Sequence, residues 1–384
     1  MKKKPLYQTI YQSIKEGIQS GKYAPGDQVP TEKELTDMYD VSRLTAKNAM
    51  NLLAEEGWIH RVSGKGSFVS ELAVEQANRS EQRQARLIGL ILAGFSDSYG
   101  TELLRTMIHE LTRRGYHAIL KISNESQEME TQYLNELIAL GVQGILILPV
   151  QAEFHNVALL KVTLSNFPIV LVDRRLSGVS VPYVGSNNKE IAHQLTMKLL
   201  NSGHNKISVI SHENLNNSSL NDRMDGIRDA YMEKQVLLDN NLWLLDLETS
   251  YWNLSDTQLL ERDFQKIYQK LQEKPEITCF FALDYLSGQI LWYALHQIGK
   301  SIPEDYSLLS FDGPLQNFLS PSFTRIIQNQ PEIGLHAVGL LLQMIESGQP
   351  DYKEVIVKTR FLDNDSIRIN KKQTGEAPVW DAEE

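Results

Sequence analysis

The stretch "DVSRLTAKNAM", residues 40–50, places Ala46, Ala49 and Met50, with Leu53 beyond them, at the spacing of a buried helical stripe. Arg43, Thr45 and Lys47 crowd its start, where the positive end of a helix dipole disfavours further cations. Cations in that position call for an anion outside the protein. Arg43 and Lys47, with Asn51, lie a turn apart opposite Ala46, Met50 and Leu53, so the polar side of this helix stays free. Ser42 is a good N-cap for it. Just upstream, "TEKE" opens a second helix in which Thr31 and Glu34 form a capping box and Leu35, Met38 and Tyr39 face inward. Two short helices joined through Tyr39-Asp40-Val41 predict a helix-turn-helix. Further out, Tyr7, Ile10, Ile14 and Ile18 define an amphipathic helix that stops at "SGKYAPGDQ". Downstream, "GWIHRVSGKGSFVS" holds two extended runs around Ser63-Gly64-Lys65-Gly66, a hairpin with a basic tip. Three helices and a hairpin predict an α+β winged helix.

The anion that fits is double-stranded DNA. The second helix of a helix-turn-helix enters the major groove by its N-terminal end, where side chains meet base edges and phosphates. A guanidinium such as that of Arg43 held bidentately on guanine supplies roughly 1–3 kcal/mol of discrimination, whereas Lys65 at the hairpin tip suits phosphate or the minor groove. Singly, each cation is an ordinary solvated charge, and only their coincidence with caps, turn and hairpin in one segment favours DNA. Residues 6–69 resemble the GntR-type winged-helix DNA-binding domain over their whole length. The resemblance implies that Glu32, Lys33, Ser42, Arg43, Thr45, Lys47, Ser63, Gly64, Lys65 and Gly66 face DNA. Where that family usually has an arginine after Thr-Val, this chain has Lys47 after Thr45-Ala46, and a lysine cannot make the fork-shaped contact to guanine.

The remaining chain is of another kind. With 384 residues and 42% hydrophobic content the protein has enough apolar material for two or three cores. One cysteine, Cys279, excludes an intramolecular disulfide framework and fits a reducing compartment. The longest apolar runs, "LIGLILAGF" and "GILILPV", are too short to span a membrane, and "MKKKPLYQTIYQSI" lacks the apolar core of a signal peptide, so the expected location is cytoplasmic, with no membrane partner. Net charge is −10, split as 11 Lys+Arg against 10 Asp+Glu in residues 1–80 and 27 against 38 elsewhere. Bulk charge therefore does not draw this chain to nucleic acid, and DNA binding must come from local placement. The expected domains are a winged helix over residues 1–70, a polar linker "ELAVEQANRSEQRQAR" over 71–86, and residues 87–384 as an effector-binding and dimerisation domain.

From Leu87 strand-like runs such as "LIGLILAG", "HAILKIS", "GILILPV", "FPIVLVD" and "KISVIS" alternate with amphipathic helices. This pattern predicts β-α-β units, parallel sheets with helices on both faces, and two lobes around a ligand cleft. Ligands in such sheets bind beyond the carboxyl ends of strands, which nominates Asp173-Arg174, Asp284 and Asp312, while Arg223 is placed where a helix begins after "KISVIS" and its loop. The segment 87–368 resembles the LacI-type sugar-binding regulator domain, itself similar to periplasmic sugar-binding proteins, through "PIVLVDR", "LLNSGHNKISVI", "DRMDGIRDAY" and "SPSFTRIIQNQPEIG". The resemblance implies an α/β, two-lobed, periplasmic-binding-protein-like domain in which Arg223 holds effector hydroxyls, Asp312 closes the cleft and Gln328 lies at a lobe crossover. Asp284 takes the second place of the family's Asn-Asp pair, with Leu283 in the first, and Ser186-Asn187 stands where Asp-Asn is common. Tyr251 and Trp252 fall near an aromatic platform for a sugar, a role that for either one alone balances against ordinary packing.

An enzyme is the competing class. Nine histidines lie without metal-ligand spacing, and neither a phosphate loop nor a G-x-S-x-G turn occurs. Cys279, inside "ITCFFAL", is a buried structural thiol in pattern, and His212-Glu213 with Asp173 suit hydroxyl hydrogen bonding better than acid/base work. No catalysis, cofactor or metal is expected. A transport component is disfavoured by the winged helix. The expected function is a transcription regulator, a repressor of carbohydrate-utilisation genes with a sugar- or sugar-phosphate-responsive activator as the alternative. It would act as a homodimer on two half-sites of operator DNA. The fusion of the two segments resembles repressors of arabinose utilisation in Gram-positive bacteria, which implies a sugar effector such as L-arabinose.

Overall fold

The computed structural model describes residues 6–70, 86–151, 153–212, 216–251, 253–314 and 321–370. The predicted linker therefore lies outside the described residues apart from Arg86. Contacts divide the chain into two units, Met1–Arg86 and Leu87–Glu384.

The first unit holds α1 (Leu6–Gln19), α2 (Glu32–Tyr39), α3 (Arg43–Glu55), β1 (Ile59–Val62) and β2 (Gly66–Val69). Ile10, Ile14 and Ile18 of α1, Leu35 of α2 and Ala46, Ala49, Met50 and Leu53 of α3 converge with Trp58, Ile59 and Val69 in one core. The capping box is present: the Glu34 amide donates to Thr31 Oγ1 at 3.3 Å and the Thr31 amide to the Glu34 carboxylate at 2.7 Å. Met38 departs from its expected inward position and is 65% exposed. The eight-residue α2 leans on the core through Leu35 and Tyr39, and Met38 lies off that edge. The hairpin is antiparallel, with Ile59 opposite Val69 and Val62 opposite Gly66. Gly66 has φ of 117°, and a Cβ there would strike the Gln28 side chain, which donates to the Lys65 carbonyl at 3.0 Å. Only glycine fits that position.

The second unit contains two sheets of six strands. The first lobe holds β3 (Leu87–Leu92), α4 (Thr101–Arg113), β4 (His117–Ile122), α5 (Gln127–Ala139), β5 (Gly144–Leu148), α6 (Val157–Thr163), β6 (Ile169–Val172) and β7 (Tyr183–Ser186). The second holds α7 (Asn188–Asn201), β8 (Ile207–His212), α8 (Ser218–Glu233), β9 (Leu244–Leu247), α9 (Thr257–Glu273), β10 (Cys279–Ala282), α10 (Tyr285–Gln297), β11 (Ser307–Phe311) and β12 (Thr324–Ile327). The chain then returns through α11 (Gln330–Ser347) and β13 (Glu354–Val357) to the first lobe, and through β14 (Arg360–Leu362) to the second. Strand orders are β13-β7-β6-β5-β3-β4 and β14-β12-β11-β10-β8-β9. All pairs are parallel except β12 with β14.

Alternation explains why helices cover both faces of the first lobe. Leu146, Leu148, Val170, Val172 and Val184 pack under α4 and α11, while their neighbours Ile145, Ile147, Ile169, Leu171 and Tyr183 pack under α5 and α6. Strands buried on both faces read as continuous apolar runs, which is the pattern from which the parallel sheets were expected. The three lobe crossings hydrogen-bond to one another. Ser186 Oγ donates to Gln328 Oε1 at 2.7 Å, the Asn187 amide to the Val357 carbonyl at 3.2 Å, and the Thr359 amide and hydroxyl to Asn187 Oδ1, each at 3.0 Å. Among the described residues no helix is long and apolar enough to cross a membrane.

Candidate functional site

In the first unit α3 starts at Ser42, whose Oγ accepts the Thr45 amide at 3.2 Å and contacts Thr45 Oγ1 at 2.8 Å. That cap satisfies one of the helix's orphan amides and leaves Arg43 and Lys47 on the exposed face. Lys33 and the hairpin-tip residues Ser63, Gly64 and Lys65 are exposed too, and Gly66 is half-buried behind them. Glu32 has a structural role that its sequence neighbourhood did not announce. Its carboxylate lies 3.9 Å from Arg43 Nε and 3.7 Å from the Arg61 guanidinium, and Arg61 also donates to Asn51 Oδ1 at 2.8 Å. Asn51, expected on the free polar face, is therefore engaged with the hairpin, and Arg61 joins the exposed basic surface unforeseen.

The second unit encloses a cavity of about 450 Å³ between its lobes. Its walls come from the carboxyl ends of strands: Phe95, Ser98 and Tyr99 after β3, Glu125 after β4, Gln151 after β5, and Asp173 and Arg174 after β6. From the second lobe come His212 at the end of β8, Tyr251 after β9, Asp284 after β10 and Asp312 after β11. Arg223, expected at a helix start, instead lies in the second turn of α8, which begins at Ser218 under an Asn217 cap. The expected residues Asp173, Arg223, Tyr251, Asp284, Asp312 and Gln328 all line this one cavity, and Trp252 lies outside the described residues.

Almost every polar group on this wall is held. Arg223 donates from Nε to Asn188 Oδ1 at 2.8 Å and from a terminal nitrogen to the Leu283 carbonyl at 2.5 Å, lies 3.8 Å from the Asp312 carboxylate, and covers the Phe311 ring at 3.8 Å. Leu283, which stands where the resemblance places an asparagine, holds Arg223 through its backbone carbonyl. Gln328 donates to both Asp312 oxygens at 3.0 and 3.1 Å while accepting from Ser186. Arg174 grips Glu125 bidentately at 2.8 and 3.0 Å. Tyr99 donates to Asp173 Oδ1 at 2.8 Å. Asp284 caps α10 through the Ser287 amide at 2.9 Å and faces His212 Nδ1 at 3.3 Å. Asp173 and Asp312 follow the fourth strand of their respective lobes, and both take left-handed backbone, φ 66° and 62°. Aspartate tolerates this left-handed region better than most residues, and both side chains line the cavity.

Burial sets the ionisation. It pushes the Asp312 carboxyl up to about 6, against the pull of Arg223. It also raises the Tyr99 phenol well above its ordinary value, with Asp173 adding to the effect. At His212 burial opposes the charged ring, but the hydrogen bond and charge of Asp284 outweigh it and raise the imidazole; reciprocally the Asp284 carboxyl is lowered despite burial. The lobes also touch directly around the cavity. Tyr251 and Ser98 hydroxyls meet at 2.5 Å, the Ser218 amide donates to Gln151 at 2.5 Å, Ser219 Oγ donates to the Asp173 carbonyl at 2.7 Å, and Arg175 pairs with Asp222 at 2.7 Å. Of these wall residues Phe95, Ser98, Tyr99, Glu125 and Gln151 carry no nomination from the sequence. The rule that nominated Asp173 and Asp312 would have reached them had it been applied to the loops after β3, β4 and β5 as well.

A winged helix with a cationic helix start, joined to a two-lobed domain with a hydrogen-bonding cavity, is the build of a ligand-responsive DNA-binding regulator. Residues 6–69 match the model of the bacterial regulatory proteins of the gntR family, and residues 196–367 that of the periplasmic binding protein-like domain. Along the chain, the arabinose metabolism transcriptional repressor of Geobacillus stearothermophilus is 27% identical over 352 residues, covering 90% of this chain and 93% of that protein. The ribose operon repressor of Halalkalibacterium halodurans is 26% identical over 320 residues, covering 79% and 91%. A crystal structure of a LacI family transcriptional regulator from Enterococcus faecium with bound ribose superposes with a TM-score of 0.61 at 23% identity, over 74% of this chain and 99% of that one. The chain is a transcription regulator in which a segment matching the gntR family of bacterial regulatory proteins is joined to one matching the periplasmic binding protein-like domain. The relatives are regulators and not enzymes, and the non-catalytic reading of the cavity rests on them.

Proposed function

We propose that this chain is a cytoplasmic, homodimeric repressor of carbohydrate-utilisation genes that leaves its operator when a neutral sugar, L-arabinose or a close relative, fills the cavity. The observation that carries the sugar reading is the pairing of charge on the wall. Four carboxylates, Glu125, Asp173, Asp284 and Asp312, face Arg174, Arg223 and His212, and each of these three cations already has a carboxylate partner. Among the described wall residues no cation is left over for a phosphate, which disfavours a sugar phosphate. Fixed donors and acceptors beside the aromatic rings of Phe95, Tyr99 and Tyr251 suit hydroxyls and C–H faces instead. The names of the arabinose and ribose repressors among its relatives support a pentose.

On the DNA side, Glu32, Lys33, Ser42, Arg43, Thr45 and Lys47 would read and grip one half-site, and Ser63, Gly64, Lys65 and Gly66 would meet the backbone beside it. Arg223, Asp284, Asp312, Asp173, Gln328, Tyr251 and Trp252 would hold the effector. A dimer is supported by exposed apolar residues on neighbouring helices, Ile108 of α4 and Leu335 of α11, and by Tyr293 on α10 and Ile298 just past its end. Repression released by sugar requires that operator DNA weaken sugar binding by the factor with which sugar weakens DNA binding. The test is a thermal-shift screen of L-arabinose, other pentoses, hexoses and their phosphates, followed by titration of the hit into a complex with operator selected from a random library. Stabilisation by a neutral pentose together with operator release supports the reading. Stabilisation by a phosphate alone, or tighter operator binding with sugar, overturns it.

A further inference from the structure

The outward face of α3 is polar except at one position. Arg43, Leu44, Lys47 and Asn48 are exposed and Asn51 is half-buried, whereas Ala46, Ala49, Met50 and Leu53 are in the core. Leu44 is 67% exposed and packs in no part of the core of its unit. An isolated surface leucine needs no explanation. This one stands in the first turn of the helix, between the two cations that the DNA reading places in the groove. The other large apolar side chains exposed among the described residues of the unit, Leu6 and Met38, belong to α1 and α2.

The polar neighbours of Leu44 have limited capacity to tell bases apart. Asn51, whose amide would suit adenine, has its carbonyl oxygen bonded to Arg61, and Lys47 is a point charge without the planar fork of an arginine. Base discrimination from α3 then falls to Arg43, to Asn48 one turn beyond Leu44, and to whatever Leu44 can touch. The edges of base pairs in the major groove offer hydrogen-bonding atoms and a single apolar group, the C5-methyl of thymine.

We infer that Leu44 reads thymine: its side chain packs against the 5-methyl group of a thymine next to the base pair contacted by Arg43, once in each half-site. Burying one such carbon contributes roughly a factor of four in affinity per half-site. The same leucine facing cytosine would meet a donor amino group that it cannot satisfy.

The inference rests on the DNA-binding reading, and the experiment separates the two. The full-length protein selects its preferred duplex from a random library, and each thymine of that duplex is replaced in turn by deoxyuridine, which removes only the methyl group. Replacing the contacted thymine of one half-site is expected to weaken binding of the parent about fourfold. Leu44→Ala removes the contact from both half-sites, and is expected to bind the thymine duplex about sixteenfold more weakly and to be indifferent to the same replacement. Because Leu44 is exposed, the melting temperature of the variant should equal that of the parent, which removes misfolding as an explanation. If no uracil replacement affects the parent, or if Leu44→Ala stays as sensitive as the parent, the thymine contact is wrong although DNA binding stands. If no sequence is enriched at all, the DNA-binding reading falls and the contact with it.

Discussion

Arg43 shows 85% of its side chain to solvent, with one loose carboxylate, Glu32, 3.9 Å away, whereas Arg223 shows 5% and has Asn188, the Leu283 carbonyl, Asp312 and the Phe311 ring around it. Both are arginines proposed for recognition, and their surroundings suit opposite partners. DNA brings its own dense charge and displaces water over a broad surface, so a cation that meets it can wait in solvent. A small neutral ligand brings neither charge nor area, and its hydroxyls gain from groups already fixed in place. The first surface can therefore be changed with little effect on folding, while the second is inseparable from it.

That contrast predicts unequal consequences for the same kind of substitution. Arg223→Ala leaves Asp312 buried without its cation and should cost about 3–5 kcal/mol of stability, read by denaturant unfolding, besides abolishing the effector-induced thermal shift. Arg43→Ala should lose roughly 1–3 kcal/mol of operator discrimination in a binding titration while unfolding within about 0.5 kcal/mol of the parent. Equal losses of stability in the two variants would break the comparison.

The buried wall should also respond to pH where the exposed one does not. Burial holds Asp312 at about 6, above its ordinary 3.8. The folded protein thus keeps this proton where the unfolded chain has lost it, and the contribution is fully present below 3.8 and fades as pH rises through 6. Asp312→Asn should flatten the stability profile between those values by at most about 1.4 kcal/mol per pH unit, measured as the difference between parent and variant unfolding curves. Identical slopes would mean that the carboxyl is solvated. The smallest expected effect belongs to Tyr251→Phe, which removes the hydroxyl meeting Ser98 across the cavity. It should weaken effector binding by about 0.5–1.5 kcal/mol and leave sugar-free DNA affinity unchanged.

The exposed surface was largely readable in advance because its determinants are local. A cap at Ser42, a stripe at Ala46, Ala49, Met50 and Leu53, and a glycine turn around Lys65 each declare themselves within a few residues. Even there, Arg61 bears no local mark of its role, since its link to Glu32 and Asn51 joins three elements. In the cavity, strand ends located Asp173, Asp284 and Asp312, but the partners that set their chemistry come from far along the chain: Tyr99 lies 74 positions from Asp173, and His212 lies 72 from Asp284.

By itself, then, the sequence determined the elements, the parallel sheets and the helix that faces outward, because helix and strand periodicities and caps act over one or two turns. Tertiary structure alone decided which charges would be neutralised. It paired Arg174 with Glu125, joined Asp312 to Gln328 at a lobe crossing, and brought Ser98 onto Tyr251. Whether a carboxylate meets a guanidinium, a phenol or water depends on where whole strands end in space, and loops that share a cavity carry no mark of it in their own residues.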